Sequence, residues 1–159
     1  MERGLKAEFF VLAGLLGQPG RLDRDGVRAL LDAGMRVGSH GWSHRDWRRV
    51  DMTQAVEEMI EAPRVLGDVV GQQVSRVAVP FGSYDRRVLT RLRHAGASLV
   101  YTSDGGPARP ESWLQARTSL RHDIDPRWTA DVLAGQPGAR RSARRLAAGL
   151  VKRTRGPAR

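Results

Sequence analysis

Two histidines, His40 and His44, stand four residues apart in the stretch Ser39-His40-Gly41-Trp42-Ser43-His44-Arg45-Asp46-Trp47. Coiled into one helical turn, that spacing sets both side chains on one face. Two neutral imidazoles on one face can hold a divalent metal, because imidazole is the commonest nitrogen ligand for zinc and its neighbours in the periodic table. The pair taken alone also fits ordinary surface or packed histidines, so the surroundings have to decide.

The elements that must position these residues alternate strand and helix. Ala7 to Ala13 is a continuous apolar run of strand length, as a parallel sheet covered on both faces requires. Leu22 and Asp23 read as the staple and N-cap of a helix that carries Val27, Leu30 and Leu31 inward and stops at Gly34. Met35 to Gly38 is the next strand and delivers His40 at its carboxyl end. A longer helix starts from Asp51 with Gln54 three residues on. It is expected to bury Met52, Ala55, Val56, Met59, Ile60 and Leu66 as one stripe, and Pro63 is expected to kink it or end it. Ser75 to Val79, Ser98 to Thr102 and a segment within Trp113 to Leu120 read as further strands. Asp85 to Ala95 reads as a helix stopped by Gly96, and a last helix is capped by Asp125, begun by Pro126 and ended by Gly135. Alternating β and α units with ligand chemistry at strand ends imply a parallel α/β sheet, either an open doubly wound sheet or a barrel.

The histidine stretch and two later ones resemble the polysaccharide deacetylase, or NodB-homology, family of metal-dependent carbohydrate esterases. Ser39, His40, Ser43 and His44 match the family's His-Ser/Thr-x-x-His motif, whose histidines bind the metal. Val79-Pro80-Phe81-Gly82-Ser83-Tyr84-Asp85 is similar to its Pro-Phe/Tyr-Gly loop beside the substrate, and Leu120-Arg121-His122 to the Leu-x-His that carries its catalytic acid. The resemblance runs from Gly4 to about Gly135. It implies an α/β fold, an incomplete and distorted (β/α) barrel whose first strand is missing. The deacetylase-like domain would span residues 1–136, with a basic tail, disordered or helical, over 137–159.

By this resemblance a divalent metal, zinc first and cobalt or another ion next, would be held by His40 and His44. It would lower the pKa of its water and polarise an acetyl carbonyl, while the Phe81 backbone N–H stabilised the oxyanion and His122 protonated the leaving amine. Pro80, Gly82, Tyr84 and Trp42 would contact the sugar. The expected activity is hydrolysis of N-acetyl groups on a glycan. The alternative is a non-catalytic deacetylase-like fold that binds glycan or an acidic partner. Two departures bear on that choice. The family's Thr-Phe-Asp-Asp-Gly motif, which supplies the third ligand and the general base, is absent from the sequence, whereas catalytic zinc usually has three protein ligands. Glu2-Arg3-Gly4-Leu5 reads as a helix end, so an Asp-Asp-Gly strand end is expected upstream of Met1 or on a separate chain. The family's Arg two residues before the loop proline is Ala78 here, with Arg76 near it but out of register.

Other positions carry two readings. His122, beside Asp123 and Asp125, also fits a surface histidine, and Trp42 and Trp47 fit either sugar stacking or packing. Ser103 to Gly106 reads as a turn, and Asp46 as a cap of helix or turn rather than a ligand. No nucleophile elbow or phosphate-binding glycine loop is present, which disfavours nucleophilic serine hydrolysis.

A chain of 159 residues suits one domain with a sizeable core, and the absence of cysteine rules out a disulfide framework. The net charge of +10 is uneven: Pro137 to Arg159 holds eight Lys or Arg and no acid, leaving about +2 on the other 136 residues. That tail reads as an appendage dispensable for folding, suited to a polyanion or an anionic membrane surface. Arg3, Lys6 and the run Phe9 to Leu16 mimic a signal peptide. Glu8 interrupts them, no small-x-small site precedes Gln18, and the run is too short to span a bilayer. The cytoplasm is then the default expectation, and the oligomeric state stays open.

Overall fold

The computed structural model describes residues 6–106, 108–119, 125–134 and 139–156. Five short strands, β1 (Glu8–Val11), β2 (Arg36–Ser39), β3 (Arg76–Ala78), β4 (Leu99–Thr102) and β5 (Leu114–Ala116), pair in parallel and in sequence order. Val11 pairs with Ser39, Ser39 with Val77, and Val77 with Val100. This register brings the carboxyl ends of the strands to one edge, so the loops that follow β2, β3, β4 and β5 meet there. The sheet does not close: β1 and β5 are its edges. It is the incomplete α/β barrel that the motifs imply.

Helices cover the sheet, and their ends follow the local chemistry. Asp23 caps α1 (Arg24–Asp32) by accepting the Gly26 N–H at 2.7 Å. Asp51 and Gln54 form a reciprocal capping box at the start of α2 (Met52–Val56), with bonds of 2.8 and 3.2 Å. Asp85, wholly buried, caps α4 (Arg86–His94) through the Val88 N–H at 2.9 Å. Asp125 accepts the Arg127 N–H at the start of α5 (Pro126–Leu133). Gly34 and Gly96 take the left-handed backbone that ends α1 and α4. The expected helix ends at Glu2 to Leu5 and at Gly135 lie outside the described residues.

The helix after Asp51 departs from expectation in two ways. It runs from α2 through a π-helical turn, Glu57–Glu61, into α3 (Ala62–Val70). In that turn the Ala62 N–H donates to the Glu57 carbonyl, five residues back. The wider turn lets the chain accept Pro63 without breaking, because it regroups the carbonyls just where the proline has no N–H to give. The buried stripe is also narrower than expected. Ala55, Met59 and Leu66 are buried as expected, whereas Met52, Val56 and Ile60 are exposed, Met52 by 66%.

Two apolar clusters hold the layers together. Trp47, Val77, Tyr84, Val88, Leu92 and Val100 lie in one, and Val11, Val27, Val37, Leu66 and Val69 in the other. Leu66 is wholly buried and by its area alone contributes about 2 kcal/mol. Among the described residues no helix is long and apolar enough to cross a membrane.

The basic tail forms α6 (Ala139–Thr154). Leu150 and Val151 are exposed on it, yet its end is not a free appendage. Arg155 donates from Nη2 to the Tyr84 carbonyl at 2.6 Å, and Lys152 donates from Nζ to the Gly82 carbonyl at 3.1 Å. These contacts tie the end of α6 to the loop after β3.

Candidate active site

His40 leaves the end of β2, and its backbone N–H still continues the ladder by donating to the Val11 carbonyl at 2.8 Å. Its side chain turns toward β3, where Nδ1 lies 2.7 Å from the Ala78 carbonyl. A carbonyl can only accept, so Nδ1 carries the proton and Nε2 keeps its lone pair. Burial holds the His40 imidazole below its ordinary pKa. The Ala78 carbonyl opposes that shift, and the neighbouring His44 and Arg117 add to it. A neutral ring with Nε2 free and Nδ1 tied to a backbone carbonyl is the form that ligates metals.

His44 reaches His40 by a route the spacing did not indicate. Residues 40–46 form no helical turn, and the chain bends at Trp42 and Ser43. Gly41 at φ 89° and His44 at φ 61° fold the segment back, and the two imidazole centroids end 4.8 Å apart. Asp46 accepts the Arg48 N–H at 3.1 Å and lies 3.8 Å from Arg49, which makes it a turn cap. Trp47 is wholly buried and unavailable for stacking on a sugar. Trp42 packs its indole on Gly14, where any Cβ would collide with the ring, and stays partly exposed. A carboxylate the sequence reading passed over, Glu58, sits behind this segment and binds its backbone.

The loop after β3 completes the mouth. Pro80–Gly82 is a single 3-10 turn closed by Gly82 N–H to Val79 O and Ser83 N–H to Pro80 O, both 3.1 Å. Pro80 and Gly82 are buried, while Phe81 at φ 57° is thrust out, 65% exposed, with its ring against His44. Tyr84 is wholly buried and donates its hydroxyl to Asp104 at 2.6 Å, so its part is to hold the loop rather than to meet a sugar. Asp104 is the hub. It accepts from Tyr84, from the Thr102 hydroxyl at 2.9 Å and from Lys152. Burial works to raise the Asp104 pKa, yet the three donors and the Lys152 charge together hold it below the usual carboxylate value. Ser103 to Gly106 is indeed a turn, with Gly105 and Gly106 at positive φ, but its aspartate does more than turn the chain.

Arg76, the candidate for the family's supporting arginine, is engaged elsewhere: it lies 3.0 Å from Glu8 and donates to the Tyr101 hydroxyl at 2.8 Å. Arg117, just past β5 and over the Phe10 ring, is the cation whose charge is felt at His40. Its place at a strand's carboxyl end is the signal that would have found it. His122, the expected proton donor, lies outside the described residues. Among the described residues no group of three His, Cys, Asp or Glu can hold a metal. The two imidazoles fit a divalent ion in donor chemistry, but as two ligands of an incomplete set. A cavity of about 400 Å³ beside Met59, Pro63 and Gly67 shares no residue with this mouth.

A sequence model described as polysaccharide deacetylase matches residues 1–100. The chain belongs to the polysaccharide deacetylase family. Solved structures repeat its fold. The Streptococcus pyogenes deacetylase PplD in complex with acetate is 20% identical with a TM-score of 0.74, over 85% of this chain and 60% of that one. A polysaccharide deacetylase from Bacillus cereus is 20% identical with a TM-score of 0.70, over 80% of this chain and 42% of that one. A CE4 family pseudoenzyme from Bacillus anthracis is 19% identical with a TM-score of 0.53, over 60% and 33%. This polysaccharide deacetylase chain therefore spans 60% or less of the length of each of those structures.

Proposed function

We propose that this chain serves metal-dependent hydrolysis of N-acetyl groups on a carbohydrate. The observation that carries the reading is the pairing of His40, with Nε2 free, and His44 beside the exposed Pro-Phe-Gly loop at the carboxyl edge of a parallel sheet. His40 and His44 are the metal ligands in this proposal, with the third ligand and general base coming from a carboxylate outside the described residues. A zinc or cobalt ion held there would polarise the acetyl carbonyl and acidify a water. The Phe81 N–H stabilises the developing oxyanion, and His122 protonates the leaving amine as acetate departs. Pro80, Gly82 and Trp42 border the sugar. The basic segment 137–159, by its net charge, would bind a polyanion or an anionic membrane surface.

One observation favours a second reading, a non-catalytic fold that binds glycan or an acidic partner: the described residues bring only two ligands to the metal position. The two readings separate in an assay of acetate release from N-acetylglucosamine oligomers with zinc or cobalt added. Release that His40→Ala abolishes supports the hydrolase. A chain that binds zinc and the oligomer but releases no acetate supports the binding protein.

A further inference from the structure

The segment between the two histidines has no regular hydrogen-bonding pattern of its own, so its backbone N–H groups need acceptors from elsewhere. Glu58 supplies them. It sits on the π-helical turn and is wholly buried. Its Oε2 accepts from the Trp42 N–H at 2.8 Å and from the Trp47 indole N–H at 3.1 Å. Its Oε1 accepts from the Ser43 N–H at 3.1 Å and the Ser43 hydroxyl at 2.9 Å, with Arg45 Nε 3.6 Å away. Gly41 leaves the room for it, since a Cβ there would run into Oε2.

We propose that Glu58 is a positioning residue for the histidine pair: its carboxylate fixes the bend that brings His44 back to His40 before any metal arrives. The functional consequence rests on the metal reading above, but the positioning does not. Three facts converge on it. A carboxylate is acceptor-only and has about four lone-pair sites, which matches the four donors turned toward it. Those bonds are charge-assisted, the strong class. The backbone they hold leads directly into His44 in the left-handed region, where a side chain is disfavoured and persists only if its surroundings over-determine it. The π-helical turn is part of the same device, because such turns regroup a helix locally and recur at functional sites. Here it carries Glu58 wholly into the protein while Glu57, its neighbour, is only partly buried.

The amide isostere gives a selective probe. In Glu58→Gln one oxygen becomes an NH2 that faces two donors, with volume nearly unchanged. The test reads imidazole NMR signals in the metal-free chain, with exposed His94 on α4 as internal reference, and then zinc affinity by calorimetry. In Glu58→Gln the His40 and His44 signals should move while those of His94 stay, and zinc affinity should fall about 10–100-fold, the range for removing a supporting partner of a ligand. Should Glu58→Gln fail to fold, Ser43→Ala and Trp47→Phe each remove one donor and leave the carboxylate, and smaller movements of the same two histidines are expected. Folded variants whose His40 and His44 signals match the parent overturn the proposal. If the parent chain binds no zinc while the two signals still move, the metal reading fails and the positioning role stands.

Discussion

His44 and Phe81 meet ring to ring, centroids 4.3 Å apart and planes inclined by 61°, and both hold a left-handed backbone, at φ 61° and φ 57°. No other non-glycine residue among the described ones has positive φ. Strain of this kind, concentrated at two touching residues from the two loops of the mouth, is what a preformed site looks like. It also has measurable consequences.

At Phe81 the ring is largely exposed, so the backbone dominates the energetics. Glycine enters the left-handed region freely, whereas alanine does not. Phe81→Gly should therefore be more stable than Phe81→Ala by about 1 kcal/mol, after allowing for the greater unfolded-state freedom of glycine. Urea denaturation of the two variants decides it. Equal midpoints would mean that the turn relaxes when the ring is gone.

Gly82 is constrained twice, by φ 60° and by Ser103, whose hydroxyl occupies the place a Cβ would take. Gly82→Ala should cost about 2–4 kcal/mol, summing backbone strain and overpacking. Adding Ser103→Gly should return only the packing share. Full recovery in the double variant would show that the backbone there is not strained.

Asp104 predicts a pH dependence. Its pKa in the folded chain lies below that of an unfolded aspartate, so the stabilisation it gives is complete above about pH 4 and is lost as pH falls through the lowered value. Asp104→Asn and Lys152→Ala should both lower the melting temperature at pH 7, and the gap to the parent should narrow toward pH 2. A gap independent of pH would show that Asp104 acts through shape instead of charge. A Lys152→Ala chain as stable as the parent at pH 7 would show α6 to be the indifferent appendage its composition suggests.

Much of the frame was legible because it rests on local rules. Asp23, Asp51 with Gln54, and Asp125 announced their helices by cap chemistry, and the apolar runs announced buried parallel strands. The histidine pair was legible as a motif but not as a shape, since i, i+4 spacing suggests a helical turn and the chain uses Gly41 and a left-handed His44 instead. Glu58 was invisible for a different reason. In sequence it is the second of two adjacent glutamates on an amphipathic helix, and only the π-helical turn, with the donors waiting behind the histidines, turns it inward. Asp104 and Lys152 are 48 residues apart, and no local rule joins them.

The proposed metal position of this fold is the pair His40 and His44. Calorimetric titration of zinc or cobalt into the parent chain and into the double variant His40→Ala, His44→Ala tests it most directly. A single binding event is expected in the parent, tighter as pH rises through the histidine range because the ligands must be neutral, and it is expected to be lost in the double variant. Unaltered affinity in a folded double variant would contradict it.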